Sequence, residues 1–243
     1  MTWMPVSLDA EAPTRNDILG SLPPDELDRV MSRMEQRDVA VGDVLFEPAT
    51  KIAYAYFPET TVVSLMTTLG DGAGIETATI GREGVVGVTL SLGDDRSVNG
   101  RAVVQMPGRM RRLDADLFRA QLGEGGKLPD LMLAYTRAML LHLSQSTACG
   151  VAHPVRARLA RWLLQTSDRT ERDDVPLTQQ FLSEILGVRR ATVTEASGQL
   201  QSVGAVRTRR GGIEILDREA LEGAACECYA LIKSEYARLL PGS

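Results

Sequence analysis

Histidine is almost missing from this chain: two residues, His142 and His153, among 243. A protein so short of imidazole has few general bases that work near neutral pH. Cysteine is nearly as scarce, and Cys149, Cys226 and Cys228 are too few and too clustered for a disulfide scaffold, which fits free thiols in a reducing compartment. One residue separates Cys226 from Cys228. That is not the spacing of a zinc knuckle, so buried or reducible thiols are expected there rather than metal ligands. No apolar run approaches the roughly 20 residues of a membrane span, and the opening MTWMPVSLDAEAPTRND is acidic without an apolar signal core. The expectation is a cytoplasmic protein with no membrane contact. Also missing are a nucleophile-elbow motif and a phosphate-binding glycine loop with lysine, so no enzymatic activity is expected.

Positive charge is in overall deficit, 27 Lys and Arg against 32 Asp and Glu, but the deficit is uneven. Residues 1–152 hold 14 cations against 20 anions, residues 153–212 hold 10 against 6, and residues 213–243 hold 3 against 6. A nucleic-acid surface needs a local excess of cations rather than a basic average, and only the middle segment has one.

Between Val39 and about Phe118, short β-compatible runs alternate with turns. VLFEPAT, YAYFP, GVVGVTLSLG and RAVVQM read as strands, and VVSLMTTLGDGAGIETATIG as two more joined at Gly70-Asp71-Gly72, where glycine accepts positive φ. The spacing points to a β-roll. In front of it PPDELDRVMSRMEQ reads as a helix that starts at Pro23-Pro24 and aligns Leu27, Val30 and Met34 on one face. After the glycine-rich QLGEGGKLP comes DLMLAYTRAMLLHLSQSTAC, a helix of roughly five turns with Asp130 as its N-cap. Leu131, Met132, Leu133, Tyr135, Met139, Leu140, Leu141 and Leu143 leave few of its faces polar, so it needs a second partner besides its own β-domain. A symmetric dimer with this helix at the two-fold axis is the economical solution, and burial inside one subunit the alternative.

PVRARLARWLLQTSD is a further amphipathic helix, with Val155, Leu159, Trp162 and Leu163 on its apolar side. In LTQQFLSEILGVRRATVTEASGQLQSVGAV, Thr178 can cap a helix whose inner face is Phe181, Leu182, Ile185 and Leu186. Ser183 allows a close helix crossing, Gly187 supplies a sharp turn and Val188 fills the gap beneath it. A second helix then turns Val193, Ala196 and Leu200 inward, which leaves Arg189, Arg190, Thr192, Thr194, Glu195 and Gln199 outward. Arginine can bind guanine O6 and N7 bidentately, glutamate can accept from cytosine N4, and threonine can reach a phosphate or a thymine methyl. VRTRRGGIEILD follows as a hairpin turning at Gly211-Gly212, whose Arg207, Arg209 and Arg210 would lie against phosphates. Helix, helix, turn, helix, hairpin is the order of a winged helix-turn-helix. The expected DNA-binding set is therefore Thr178, Arg189, Arg190, Thr192, Thr194, Glu195, Gln199, Arg207, Arg209 and Arg210.

From about Leu22 to Leu216 the chain resembles a CRP/FNR-family transcription regulator. The resemblance is carried most strongly by LTQQFLSEILGVRRATVTEASGQLQSVGAV, which is similar to the family pattern Thr-x-x-x-(Ile/Leu)-(Ala/Gly)-x-x-(Leu/Val)-Gly before an arginine-bearing recognition helix. ARLARWLL also resembles the family's preceding helix. The resemblance implies an α+β chain: an antiparallel β-roll of cyclic-nucleotide-binding type over residues 17–126, a dimerisation helix and hinge over 127–152, a winged helix-turn-helix over 153–218 and a C-terminal helical tail over 219–243. It implies a homodimer that binds a two-fold symmetric operator in double-stranded DNA and alters recruitment of RNA polymerase. By position Arg190 matches a DNA-contacting arginine of cAMP-responsive members. Ala191 stands where those members carry glutamate and Glu195 where they carry arginine, so their operator does not transfer.

The family's nucleotide cassette uses a Gly-Glu pair for the ribose and an Arg-Ser pair for the cyclic phosphate. The corresponding residues here are Glu83 in GREGVVG and Arg96-Ser97 in DDRSVNGRA, although Arg96 lies about two residues early relative to ADLFRAQL. Arg101 is an alternative anion partner. A cyclic nucleotide is accordingly less favoured than an unknown or absent effector. No cysteine precedes Cys149 and the roll holds no suitably placed histidine, so neither the iron-sulfur cluster of oxygen-sensing members nor haem is expected. Thiol sensing by Cys149 or by Cys226 and Cys228 is a further hypothesis. The leading function is a dimeric, sequence-specific transcription regulator; the alternative is a ligand-binding module that acts through a protein partner without specific DNA binding.

Overall fold

A computed structural model describes residues 13–70, 74–97 and 99–240 of the chain. Two short helices, α1 (Asp17–Gly20) and α2 (Pro24–Met31), lead into the first strands. Pro24 opens α2, as its fixed φ favours. The helix is shorter than the apolar pattern predicts: it stops at Met31, and Glu35 and Gln36 belong to strand β1 (Glu35–Val39), where they pair with Arg112 and Arg111. Backbone pairing across the sheet outweighs local helical periodicity there.

The strands that follow are β2 (Val44–Phe46), β3 (Tyr54–Pro58), β4 (Val62–Thr68), β5 (Gly74–Ile80), β6 (Gly100–Met106) and β7 (Gly108–Asp114). They form two antiparallel sheets, in the orders β1-β7-β3 and β2-β6-β4-β5. Ala55 and Phe57 of the first sheet share one core with Val63, Ile80 and Val104 of the second. β4 and β5 pair antiparallel from Val63–Ile80 to Thr68–Gly74, as the hairpin reading requires; its turn at Gly70-Asp71-Gly72 falls partly on residues outside those described. GVVGVTLSLG is not a strand. Val86 makes a lone bridge to Tyr56, and Val88–Leu92 is a 3-10 turn bracketed by Gly87 (φ 96°) and Gly93 (φ 88°). An extended run cannot continue through two left-handed residues.

Helix α3 (Ala115–Gly123) starts at Asp114, whose carboxylate accepts from Asp116 N at 2.9 Å. The long helix α4 runs from Leu128 to Ala152. Asp130 is not its cap; it sits in the first turn, where a negative charge favours the helix dipole. The leading amides are held instead by buried Glu26 of α2, whose carboxylate accepts from Lys127 N at 2.9 Å and Leu128 N at 3.0 Å. Leu131, Met132, Tyr135, Ala138 and Met139 pack into the β-roll core, whereas Leu133 (63% exposed), Leu140 (60%) and Val151 (89%) lie open on the other side.

Beyond α4 come α5 (Val155–Thr170), β8 (Asp174–Val175), α6 (Gln179–Leu186), α7 (Arg190–Ser202), β9 (Val206–Arg209) and β10 (Gly212–Ile215). The three strands form an antiparallel sheet in the order β8-β10-β9. A second core gathers Leu159, Trp162 and Leu163 of α5, Leu182, Ile185 and Leu186 of α6, and Val193, Ala196 and Leu200 of α7. Val62 and Met106 of the β-roll join it, so the two cores abut. Helices α8 (Arg218–Ala224) and α9 (Cys228–Leu239) complete the chain, and α9 sends Ile232 and Tyr236 back into the first core.

Candidate nucleic-acid interface

The segment from Thr178 to Ser202 folds as two helices around one glycine. Thr178 is the N-cap of α6 and accepts from Phe181 N at 3.2 Å. Gly187 ends the helix at φ 62°, a left-handed conformation that costs other residues about 1–2 kcal/mol. The final carbonyl of α6, on Leu186, accepts from Arg158 of α5 at 2.6 Å. Val193, Ala196 and Leu200 turn inward as their spacing predicts, and Ser197, a position the sequence pattern does not single out, is buried beside them.

Helix α7 begins at Arg189 with no side-chain cap. Its leading amides and the exposed guanidinium groups of Arg189 and Arg190 therefore sit at one positive helix end, an arrangement suited to a phosphate. Neither arginine has an ion-pair partner among the described residues. Thr194 and Glu195 are also exposed but not idle: Thr194 Oγ1 donates to Gln179 Oε1 at 2.8 Å, and Glu195 accepts from Gln199 at 3.3 Å. Thr192 is half-buried.

The hairpin of β9 and β10 pairs Val206 to Arg209 with Ile215 to Gly212. Gly211 has φ 86°, and a Cβ on Gly212 would come within 2.7 Å of Val175 O, so the tip needs glycine at both places for different reasons. The three wing arginines are not equivalent. Arg207 lies 2.7 Å from Glu214 and Arg209 also pairs with that carboxylate, whereas Arg210 has no ion pair among the described residues. Glu214, absent from the sequence reading, thus removes about half of the cationic character expected of Arg207 and Arg209. It stands directly opposite Arg207 in the ladder, a pairing that becomes visible only once the hairpin register is known.

The sensor-site candidates do not converge. Glu83 is buried against Arg169 of α5 at 2.8 Å and accepts from Gly81 N at 3.1 Å. Ser97 donates to Gly100 O, Arg96 is exposed, and Arg101 pairs with Glu47 at 3.0 Å. Arg101 and Arg189 line one open groove of about 750 Å³ between the β4–β5 hairpin and the turn of the helix pair. The contacts between the β-roll and α5 were not legible beforehand. Arg169 reaches Glu83 and Thr79, and Trp162 Nε1 donates to Glu76 Oε1 at 3.0 Å. Burial pushes the Glu76 carboxyl up to about 7, opposed by its bonds to Ser64 and Trp162 and by Arg161 and Arg169.

A second cluster lies at the other end of α5. Cys149 in the last turn of α4, His153 at its C-cap, and Cys226 and Cys228 around the start of α9 bring their sulfur and nitrogen atoms within 4.8 Å of one another. The hydrogen bond from Cys226 and the charge of Arg161 hold the Cys149 thiol well below its usual range, and the same bond pushes Cys226 up. The spacing Cys149-x-x-x-His153 was the available signal, since residues four apart share a helix face.

The chain thus joins a β-roll through a long helix to a winged helix-turn-helix. Residues 157–224 match the family of Crp-like helix-turn-helix domains, so the chain carries such a domain, within the overall fold of the CRP/FNR-family regulators. FixK2 from Bradyrhizobium japonicum superposes with a TM-score of 0.66 at 18% identity, over 79% of this chain and 98% of that one. The c-di-GMP-responsive global regulator CLP of Xanthomonas campestris gives 0.62 at 15% identity, over 80% and 100%. A CRP/FNR-family transcriptional regulator from Thermus thermophilus gives 0.59 at 21%, over 79% and 98%. No curated protein matches the chain by sequence. Among the described residues, no helix is long and apolar enough to cross a membrane.

Proposed function

We propose that this protein is a homodimeric, sequence-specific DNA-binding regulator of transcription that works in the cytoplasm, with residues 17–126 as signal domain, 127–152 as dimerisation helix and hinge, 153–218 as the DNA-binding unit and 219–243 as a tail. The observation that carries the reading is the start of α7. An uncapped helix N-terminus with two exposed arginines stands beside a wing that carries Arg210, none of the three having an ion pair among the described residues, in a domain of Crp-like type. Arg190 reads a base edge and Arg189 a base or phosphate, with Thr192, Thr194, Glu195 and Gln199 along the same helix. Thr178, Arg207, Arg209 and Arg210 flank it. The open stripe of Leu133, Leu140 and Val151 supports pairing of two α4 helices, which would present two recognition helices to a two-fold symmetric operator and bring a promoter-bound dimer within reach of RNA polymerase.

Selection of bound sequences from random DNA tests this, followed by Arg190→Ala on the selected site. The variant should lose about 1–3 kcal/mol on that site and relax its preference at one base pair, with little change on random DNA. Equal losses on both would remove the recognition role. Sedimentation that finds only monomer at micromolar concentration would remove the dimer.

The buried pairing of Glu83 with Arg169 supports a link between the signal and DNA-binding units rather than a ribose contact. An effector that separates the two units would have to bind the open form more tightly than the docked one.

A further inference from the structure

We propose that Cys149, His153, Cys226 and Cys228 form a tetrahedral zinc site that staples the C-terminal tail to the joint between α4 and α5. Such a site would form whether or not the chain binds DNA.

With metal–sulfur bonds of about 2.3 Å and a metal–nitrogen bond of about 2.0–2.1 Å, a tetrahedral site has sulfur–sulfur edges of about 3.8 Å and sulfur–nitrogen edges of about 3.6 Å. Cys149 Sγ lies 3.5 Å from Cys226 Sγ, and Cys228 Sγ lies 3.5 Å from His153 Nδ1. All four donor atoms fall within 4.8 Å of one another. A disulfide would require the sulfurs to be about 2.05 Å apart. A polynuclear iron-sulfur cluster would hold them farther apart, because several metal atoms and bridging sulfides lie between its cysteine ligands. Three thiols and an imidazole select zinc over hard cations.

Nδ1 of His153 faces the sulfurs while Nε2 lies 3.2 Å from Glu227 Oε1. A carboxylate behind a ligating imidazole fixes its tautomer and raises its basicity. Gln145 Nε2 donates to Cys228 Sγ at 3.1 Å, the bond a thiolate ligand accepts. Three thiolates around a divalent ion leave one net negative charge, and Arg158 and Arg161 of α5 are the cations that act on Cys149. Cys149 and Cys228 are fully buried, and Ala157 closes the cluster.

The chain path explains how a Cys-x-Cys pair can serve. Ala225 is extended (φ −77°, ψ 159°), Glu227 turns into the right-handed region (φ −54°, ψ −20°), and Cys228 begins α9. The reversal brings both sulfurs to one side, which an extended Cys-x-Cys would also allow but without Glu227 placed behind His153. Each thiol that coordinates releases its proton to solvent.

The test uses the full-length chain, stripped with a chelator under reducing conditions and titrated with Co²⁺. About one Co²⁺ should bind per chain, with the intense d–d bands of a tetrahedral ion and thiolate-to-cobalt charge transfer, and Zn²⁺ should bleach both. Cys228→Ser should abolish or shift those bands. Glu227→Gln keeps all four ligands and changes an exposed side chain, so it should fold normally and retain Zn²⁺ about 10–100-fold more weakly. Weak octahedral absorption only, or bands of full intensity in both Cys149→Ser and Cys228→Ser, would overturn the site. So would a Cys149–Cys226 disulfide that persists under reductant.

Discussion

Replacing Glu76 by glutamine should change how the stability of this protein depends on pH. The carboxyl sits where the β-roll meets α5. Ser64 Oγ donates to one of its oxygens at 2.5 Å, Trp162 Nε1 donates to the other at 3.0 Å, and the Gln105 amide lies against it. Burial raises its pKa from 4.5 to about 7 despite the opposing Ser64 bond and the Arg161 and Arg169 charges. A carboxyl whose folded pKa exceeds its unfolded value binds its proton more tightly when folded. Its stabilising effect is complete below about pH 4.5 and is lost as pH rises through about 7. At about 1.4 kcal/mol per pH unit, that difference amounts to about 3 kcal/mol.

The assay is denaturant unfolding of wild type and Glu76→Gln at a series of pH values from about 5 to about 8. Asp17, which burial raises to about 6, titrates in both proteins and cancels in the difference. Wild type should lose about 2.5 kcal/mol relative to the variant across that range, the remainder of the difference falling below pH 5. A difference that does not vary with pH would refute a protonated Glu76 in the folded protein. The orphaned Gln105 Oε1 gives the protonated form a partner, because turning the amide over lets that oxygen accept from the carboxyl proton.

Four other substitutions have defined outcomes. Arg210→Ala should lower the salt slope of DNA binding by about 1, whereas Glu214→Gln, which frees Arg207 and Arg209, should tighten binding to all sequences; titrations at several salt concentrations read both. Glu83→Gln leaves Arg169 buried without a counter-charge and should cost about 3–5 kcal/mol in denaturant unfolding, while an unchanged midpoint would mean that the pair is not formed in solution. Gly187→Ala should cost about 1–2 kcal/mol from its left-handed backbone alone, since the added Cβ meets only Ile75, at 3.9 Å. No loss in unfolding free energy would show that the turn is not left-handed.

Much of the helix-turn-helix was legible because it is built from local chemistry. Thr178 caps, Gly187 turns, and Val193, Ala196 and Leu200 recur at the helical period, all within one short segment. The strands YAYFP and RAVVQM were legible for the same reason. GVVGVTLSLG misled because β-compatible side chains were read past the glycines on either side, whose positive φ breaks the extended path. Asp130 misled because Glu26, about 100 residues earlier, supplies the acceptor that a local cap would have supplied.

What the sequence by itself determined is therefore the order of helices and hairpin in the DNA-binding segment, the inward faces of its helices and the one cationic segment. Capping, turn formation and periodicity act between residues a few positions apart, and a sequence displays them directly. Tertiary structure alone decided which charges remain free. It set Glu214 against two wing arginines, Glu83 against Arg169, and Glu76 against Trp162 where the β-roll meets α5. It also gathered Cys149 and His153 with Cys226 and Cys228 from 77 residues away. Coulombic and metal-ligand interactions depend on distance in space and on burial, and neither can be read from separation along the chain.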